Sequence, residues 1–281
     1  MLSLSDIVNV KVGIGRGVFE APGATVIGGK KPSFNLEILK LFANGEQGFW
    51  YDPNDLSTMY QDAAGIVPVT AQGQPVGLIR DKSGRNNHAY QTVSASRPIL
   101  RQNAITSAYY LEFDGVDDFM VTAPLNLTGK KELTIHAGVL ALPTAKAYEY
   151  LLANGNSTSD AGLVRVRLAD ISTQKFEVNS GTYVAVDGPS AANRPEKRVI
   201  FAKFSSSEPY HSFTVNDVTA EKVVQVTKDT TLTTLPMYIG RQASNSWNAT
   251  MGLYGLTVVS AVTVAAYDKQ VTLDYEKRMG I

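Results

Sequence analysis

Four carboxylates lie close together in residues 109–119, and three of them are the groups in this chain best suited to acid–base chemistry. Glu112 and Asp114 are two positions apart, and Asp117 follows three positions later. Side chains two residues apart on a β-strand point to the same face, so Glu112 and Asp114 would face one cleft. Paired carboxylates in a cleft hydrolyse glycosidic bonds. One interpretation is therefore a polysaccharide-degrading enzyme that uses Glu112 with Asp114 or Asp117.

Gly115 favours a different interpretation of the same residues. It directly follows Asp114, and an Asp-Gly pair is typical of a tight turn, whereas a catalytic pair of this kind needs a strand that continues. We therefore expect residues 111–118 to be the end of a strand and its turn. On this interpretation the protein is not an enzyme.

Composition narrows the other classes of chemistry. The chain has no cysteine, and its histidines, His88, His136 and His211, have no ligand-spaced companions, so no metal site is expected. Its 26 basic and 26 acidic residues balance, which disfavours binding to nucleic acid. The N-terminus lacks the pattern of a secretory signal, and no apolar stretch reaches the length of a membrane span. We expect synthesis in a cytoplasm, no membrane insertion and no cofactor.

Short β-branched or alternating runs recur along the chain, and clusters of Gly, Asn, Asp, Ser and Pro separate them. This pattern predicts an all-β fold with antiparallel strands, as in a sandwich or barrel. Two helices are predicted beside the strands, one ending at Gly45 and one ending before Gly280, with Ser33 and Thr263 as their N-caps. Their apolar stripes are Phe34, Ile38, Leu41 and Phe42 in the first helix and Val264, Tyr267, Val271 and Tyr275 in the second.

Several sequence blocks resemble one known family of folds. They are FWYDPNDL from residue 49, DKSGRNNHA from residue 81, LEFDGVDDF from residue 111 and PMYIGR from residue 236. Together they are similar to the concanavalin A-like (laminin-G-like) jelly-roll domain of tailed-phage and prophage virion proteins. The resemblance implies a β-sandwich over residues 46–281. Glucanases of this fold carry E-x-D-x-x-E on one strand, and this chain departs from that pattern with Asp117 at the last position.

Residues 1–45 lie outside the resemblance and form a predicted N-terminal arm with a short helix. The arm either pairs with another subunit or virion protein, or folds back on its own domain. The family's D-x-S-G-x-x-N-H-A loop begins at Asp81, and its residue types predict a turn. A calcium ion held by Asp81 or Asn87 is the alternative use of that loop.

A carbohydrate site needs an aromatic plane together with amide, hydroxyl and charged groups. The loop from Arg241 to Asn248 has this mixture, with Trp247 as the plane and Asn245 and Asn248 as amides. Trp247 could instead fold onto the edge of the sandwich or lie in a subunit contact. Tyr183 and Asp187 form a second candidate pair.

The resemblance implies a structural virion protein that is not an enzyme. We expect a tail or fibre-associated component that contacts host-surface carbohydrate, and a capsid decoration protein is the alternative within the same class. The implied partners are other virion subunits, and homo-oligomerisation is expected because virion parts are repeated and symmetric.

Overall fold

The computed structural model describes residues 38–144, 146–155, 157–170, 173–190, 194–206, 210–223, 232–244 and 247–281. The chain divides into two compact units, Met1–Ser33 and Phe34–Ile281. All described residues lie in the second unit. The predicted arm spans residues 1–45, and residues 1–37 of it lie outside the described part, so the arm stays a prediction.

The described residues form nineteen β-strands and one long helix, so the prediction of an all-β sandwich with accompanying helices is confirmed. The strands are β1 (Gly48–Tyr51), β2 (Met59–Tyr60), β3 (Leu78–Ile79), β4 (Ala89–Tyr90), β5 (Ile99–Gln102), β6 (Tyr109–Asp114), β7 (Met120–Thr122), β8 (Leu125–Asn126), β9 (Glu132–Ala141), β10 (Tyr148–Ala153), β11 (Leu163–Asp170), β12 (Thr173–Asn179), β13 (Tyr183–Ser190), β14 (Glu196–Ser205), β15 (Tyr210–Val215), β16 (Val218–Val223), β17 (Thr234–Leu235), β18 (Tyr238–Ile239) and β19 (Thr250–Val259). The helix, α1, is Ala265–Met279, and two short 3-10 turns are Leu56–Thr58 and Ser94–Ser96.

Two large antiparallel sheets contain nearly all of these strands. The first sheet has the order β16-β15-β14-β9-β19-β6-β5, and β1 pairs with the far end of β19. The second has the order β13-β12-β11-β10-β18-β7-β4-β3-β2. Strand β19 is the centre of the first sheet, since its two halves pair with β6 and β1 on one side while β9 runs along the other.

The main core fills the space between the two sheets. Alternation along β1 shows how the sequence directs side chains, because Phe49 and Tyr51 enter this core while Trp50 points to the opposite face. Trp50 is buried in a second cluster, on the outer face of the first sheet. The sequence thus builds three layers there: sheet, sheet and helix.

The second cluster holds both predicted helical segments against the first sheet. Residues 38–40 are helical, and Ile38, Leu41 and Phe42 are buried with Val271, Tyr275 and Met279 of α1. The ring of Tyr275 fits over two glycines on neighbouring strands, where a Cβ at Gly138 or Gly255 would lie 2.9 Å or 2.6 Å from a ring carbon. A left-handed Gly280 ends α1, as predicted.

The start of α1 differs from the prediction. Val264, and not Thr263, is the N-cap residue, and its side chain is exposed instead of joining the apolar stripe. Thr263 is buried, and its hydroxyl donates a hydrogen bond to the carboxylate of Asp268 in the first turn of the helix. The threonine therefore fixes the helix start through a side chain instead of a backbone N–H. No helix among the described residues is long and apolar enough to span a membrane.

Candidate carbohydrate-binding site

One end of the sandwich carries an open cleft of about 670 Å³. It lies where β6 ends, where the β9–β10 loop passes, and where β19 begins at Thr250, which pairs with Asp114. We call it the Trp247 cleft. Its lining residues are Asp114, Gly115, Val116, Pro143, Thr144, Lys146, Trp247, Asn248 and Thr250.

Trp247 supplies the apolar surface of the cleft. Its side chain is 44% exposed, and its ring packs against Tyr148 and Tyr150 of β10 with ring centroids 5.1 Å and 5.9 Å away. Its backbone has φ +64°, a left-handed conformation that a bulky residue rarely adopts. Such a strained conformation persists only where the surrounding structure stabilises it, and residues of this kind are concentrated at binding and active sites.

A buried ion-pair network on the second sheet supports the two tyrosines from behind. The guanidinium of Arg167 lies 5.1 Å from the ring centroid of Tyr150 and donates to both oxygens of Glu177. The carboxylate of Glu177 is fully buried, and it also accepts hydrogen bonds from Arg165 and from the hydroxyl of Tyr183. The platform under Trp247 is therefore held by charge-assisted hydrogen bonds on three adjacent strands.

The turn after β6, residues 114–118, contributes its first three residues to the lining of the cleft. Oδ1 of Asp114 accepts the backbone N–H groups of Val116 and Asp117 at 2.7 Å and 3.3 Å. Gly115 has φ +79°, and a Cβ there would lie 2.1 Å from Oγ1 of Thr250, so the close approach of β19 requires glycine. The turn predicted from the Asp-Gly pair is confirmed.

Lys146 connects this turn to the tryptophan loop. Its ammonium donates to the carbonyl oxygens of Gly115 and Asn248, the latter at 3.1 Å. The side-chain amide of Asn248 donates to the carbonyl of Val116. Turn and loop are thus bound to each other by side chains of the cleft itself.

The carboxylates proposed for catalysis all make structural contacts. Glu112 and Asp114 share the outward side of β6, but Glu112 forms a two-bond ion pair with Arg101 of β5 at 2.9 Å and 3.0 Å. Asp117 lies on the turn and accepts the hydroxyl of Ser96. Asp118 is buried, and desolvation raises its pKa from 3.8 to about 6.

One cluster of carboxylates in the described part has oxygen atoms that suit a hard cation. Carboxylate oxygens of Asp114, Asp117 and Asp118 lie within 4.8 Å of one another. Asp81, the earlier calcium candidate, has both oxygens engaged, since it accepts the N–H groups of Trp50, Ser83 and Asn87. Gly84 in that loop has φ +83°, so the predicted turn chemistry is confirmed.

The residues predicted for sugar binding separate into two groups. Trp247 and Asn248 line the cleft, whereas Asn245 lies outside the described residues. The guanidinium of Arg241 packs on the ring of Phe119 at 3.3 Å from its centroid, away from the cleft lining. Tyr183 reaches the cleft only through the ion-pair network.

Asp187, the last predicted residue, lies on β13 and pairs with Lys175 at 3.2 Å. The three histidines lie on separate elements: His136 on β9 bonds Asp268, His211 on β15 stacks on Phe204, and His88 accepts the N–H of Asp81.

Sequence reasoning missed most of the cleft lining. Pro143, Thr144 and Lys146 come from an unremarkable loop, and their role depends on β9 and β6 flanking the same half of β19. The sequence predicted the turn at Asp114, but nothing in the sequence placed that turn beside Trp247.

No family model and no curated protein matches this sequence. Among solved structures, the chain is similar to the sialidase of Trypanosoma rangeli, with a TM-score of 0.53 and 14% identity over 84% of this chain and 33% of the sialidase. It is also similar to the ligand binding domain of botulinum neurotoxin serotype D, solved with N-acetylneuraminic acid, with a TM-score of 0.52 and 10% identity over 79% of this chain and 51% of that domain.

The chain thus spans about a third of the sialidase and about half of the neurotoxin domain. Likenesses at this identity show the fold alone, which is a β-sandwich.

Proposed function

We propose that this chain is a non-enzymatic carbohydrate-binding protein that holds a host-surface glycan in the Trp247 cleft, as a tail or fibre-associated component of a tailed-phage or prophage virion. The observation that carries the proposal is the half-exposed Trp247 on a braced aromatic platform, beside polar groups in one open cleft.

The chemistry of the cleft suits a sugar ring. The apolar face of a sugar stacks on an aromatic plane, while its hydroxyls need fixed donors and acceptors around it. Trp247 offers the plane, and Asp114, Asn248 and Thr250 offer polar atoms in the same lining. Because the platform is held by buried ion pairs, binding orders few side chains, which lowers its entropic cost.

The comparisons support the carbohydrate part of the proposal. A sialidase and a neurotoxin domain solved with N-acetylneuraminic acid both contain a sandwich similar to this one. The virion part is supported by the resemblance of FWYDPNDL, DKSGRNNHA and LEFDGVDDF to phage lectin-like domains. Repetition of such a subunit in a particle would raise a weak single-site affinity through multivalency.

The non-enzymatic part is supported by the contacts of the acidic residues. Glu112 is paired with Arg101, and Asp114 is the acceptor that closes its own turn. A catalytic pair would need one carboxyl free to donate a proton and a second free to attack or to activate water.

The experiment is binding of the purified protein to intact bacterial cells and to their extracted envelope polysaccharides, with released sugars assayed in the same tubes. We expect saturable binding without sugar release, and the same outcome for Glu112→Gln. Release by the wild type that Glu112→Gln abolishes would replace the proposal with an enzyme. Absence of saturable binding to every polysaccharide would remove the carbohydrate function.

A further inference from the structure

We infer that the Trp247 cleft selects uncharged glycans and rejects glycans that carry carboxylate, sulfate or phosphate groups. This inference rests on the proposed function, and it specifies the class of glycan.

The first step is the charge on the wall of the cleft. Asp114 is exposed and lines the cleft, and carboxylate oxygens of Asp117 and Asp118 lie within 4.8 Å of it. Asp114 therefore presents an exposed carboxylate to a ligand in the cleft, and Asp117 and Asp118, which do not line the cleft, add negative charge close behind it. An anionic group brought to this wall meets like charge, which costs binding energy and reduces the encounter rate.

The second step is the state of the cation in the cleft. Lys146 is the basic residue among the lining side chains, and its ammonium already donates to the carbonyls of Gly115 and Asn248. A ligand anion that recruited Lys146 would break the bonds that hold the turn to the tryptophan loop. The cost of undoing that arrangement offsets the attraction of the ammonium.

The third step is the direction of the arginines around the cleft. Arg194 pairs with the buried Glu149, whose other oxygen accepts the N–H of Thr250. Arg167 is held by Glu177 behind the aromatic platform. Arg241 packs on Phe119. None of these three guanidinium groups lines the cleft, so the planar two-bond contact that arginine makes with an anion has no donor in its lining.

Neutral sugars meet no such obstacle. Their hydroxyls donate to carboxylates, and Oδ2 of Asp114 makes no hydrogen bond to any described residue. One acidic acceptor beside one aromatic plane is a pairing that recognises hydroxyl donors. The same groups that repel an anion therefore bind a neutral ring.

The test compares each extracted envelope polysaccharide with its carboxyl-reduced form, in which carbodiimide and borohydride convert uronic acids to neutral hexoses. Binding is followed by titration of tryptophan fluorescence, because the chain has only Trp50, which is buried, and the exposed Trp247. We expect roughly tenfold tighter binding to the reduced form at low salt, from the Coulomb repulsion of one carboxylate near Asp114, and a smaller ratio at high salt.

Asp114→Asn is the matched variant, since an asparagine amide oxygen can accept the same turn N–H groups. Asp114→Asn should tighten binding of the native acidic polysaccharide and thus reduce the ratio of its Kd to the Kd of the carboxyl-reduced form. Asp217→Asn is the control, because Asp217 is an exposed, left-handed turn residue between β15 and β16 and does not line the cleft. It should leave the ratio unchanged.

The possible results distinguish a failure of charge selection from a failure of the proposed carbohydrate binding. Equal binding of both forms, tighter binding of the acidic form, or a ratio that Asp114→Asn leaves unchanged would overturn charge selection while leaving carbohydrate binding in place. Absence of binding to every native and reduced polysaccharide would overturn the proposed function itself, and the inference with it.

Discussion

Replacing Gly255 with alanine should destabilise the docking of α1 on the first sheet. The added Cβ would lie 2.6 Å from Cε1 of Tyr275, whereas carbon atoms in contact are normally about 3.5–4.0 Å apart. The ring would have to move by about 1 Å, although it also packs tightly over Gly138 on β9, where an added Cβ would lie 2.9 Å from Cδ1 of Tyr275. Overpacking of this kind costs about 1–3 kcal/mol. Alanine regains about 0.5–1 kcal/mol over glycine in a strand, so the net loss should be about 1–2 kcal/mol.

The assay is urea unfolding of four proteins: wild type, Gly255→Ala, Tyr275→Leu and the double variant. Fluorescence of Trp50 reports the event, because this tryptophan belongs to the same buried cluster as Tyr275. In the Tyr275→Leu background the new methyl group meets no ring, so Gly255→Ala should be neutral or stabilising there. A loss that is equal in both backgrounds, or no loss in either, would refute the packing explanation.

Three further predictions follow from buried charge and chain organisation. Glu177→Gln should lower the free energy of unfolding by about 3 kcal/mol, since it leaves two arginines without their shared buried carboxylate. Glu112→Gln, at an exposed ion pair, should lower it by under about 1 kcal/mol. Equal losses for the two variants in urea unfolding would contradict this reasoning. Asp118 has a folded-state pKa of about 6 against 3.8, so the folded state binds the proton more tightly and stability should fall as pH rises from 4 to 6. Asp118→Asn should remove that part of the slope in pH-dependent unfolding, and an unchanged slope would count against it. On the hypothesis that the N-terminal arm docks onto another subunit, deleting residues 1–33, which precede the second unit, should reduce the size of the assembly in light scattering, and an unchanged assembly would remove the motivation for the arm.

Local patterns in the sequence were sufficient to predict the sandwich, its turns and its helices. Turn chemistry depends on neighbouring residues, so Gly115 after Asp114 and the loop starting at Asp81 could be recognised directly. The residues of β1 are apolar on both faces, so the sequence did not indicate that Trp50 would face the helices instead of the space between the sheets.

The candidate site could be predicted only in part, because it is assembled across long sequence separations. Trp247 and Asn248 had a recognisable composition, but the wall at Asp114 is more than 130 residues earlier, and only the pairing of β6 with β19 brings it close. The side chain of Arg241 was assigned by its type to ligand binding, yet its stacking on Phe119 depends on where β18 and the turn before β7 meet. Side-chain direction at a loop is decided by such neighbours.

The most direct test of the account is the affinity of Trp247→Ala for a polysaccharide that the wild type binds, measured by calorimetry beside Ile105→Ala. Ile105 is 85% exposed in the loop before β6, at the opposite end of that strand from the cleft. A tryptophan that is 44% exposed presents roughly 100 Å². A sugar that covers about half of this area gains about 1.3 kcal/mol, or roughly a tenfold change in Kd. The account predicts a loss of at least that size in Trp247→Ala, with the fold intact and Ile105→Ala unchanged. Equal affinities for the wild type and Trp247→Ala would contradict it.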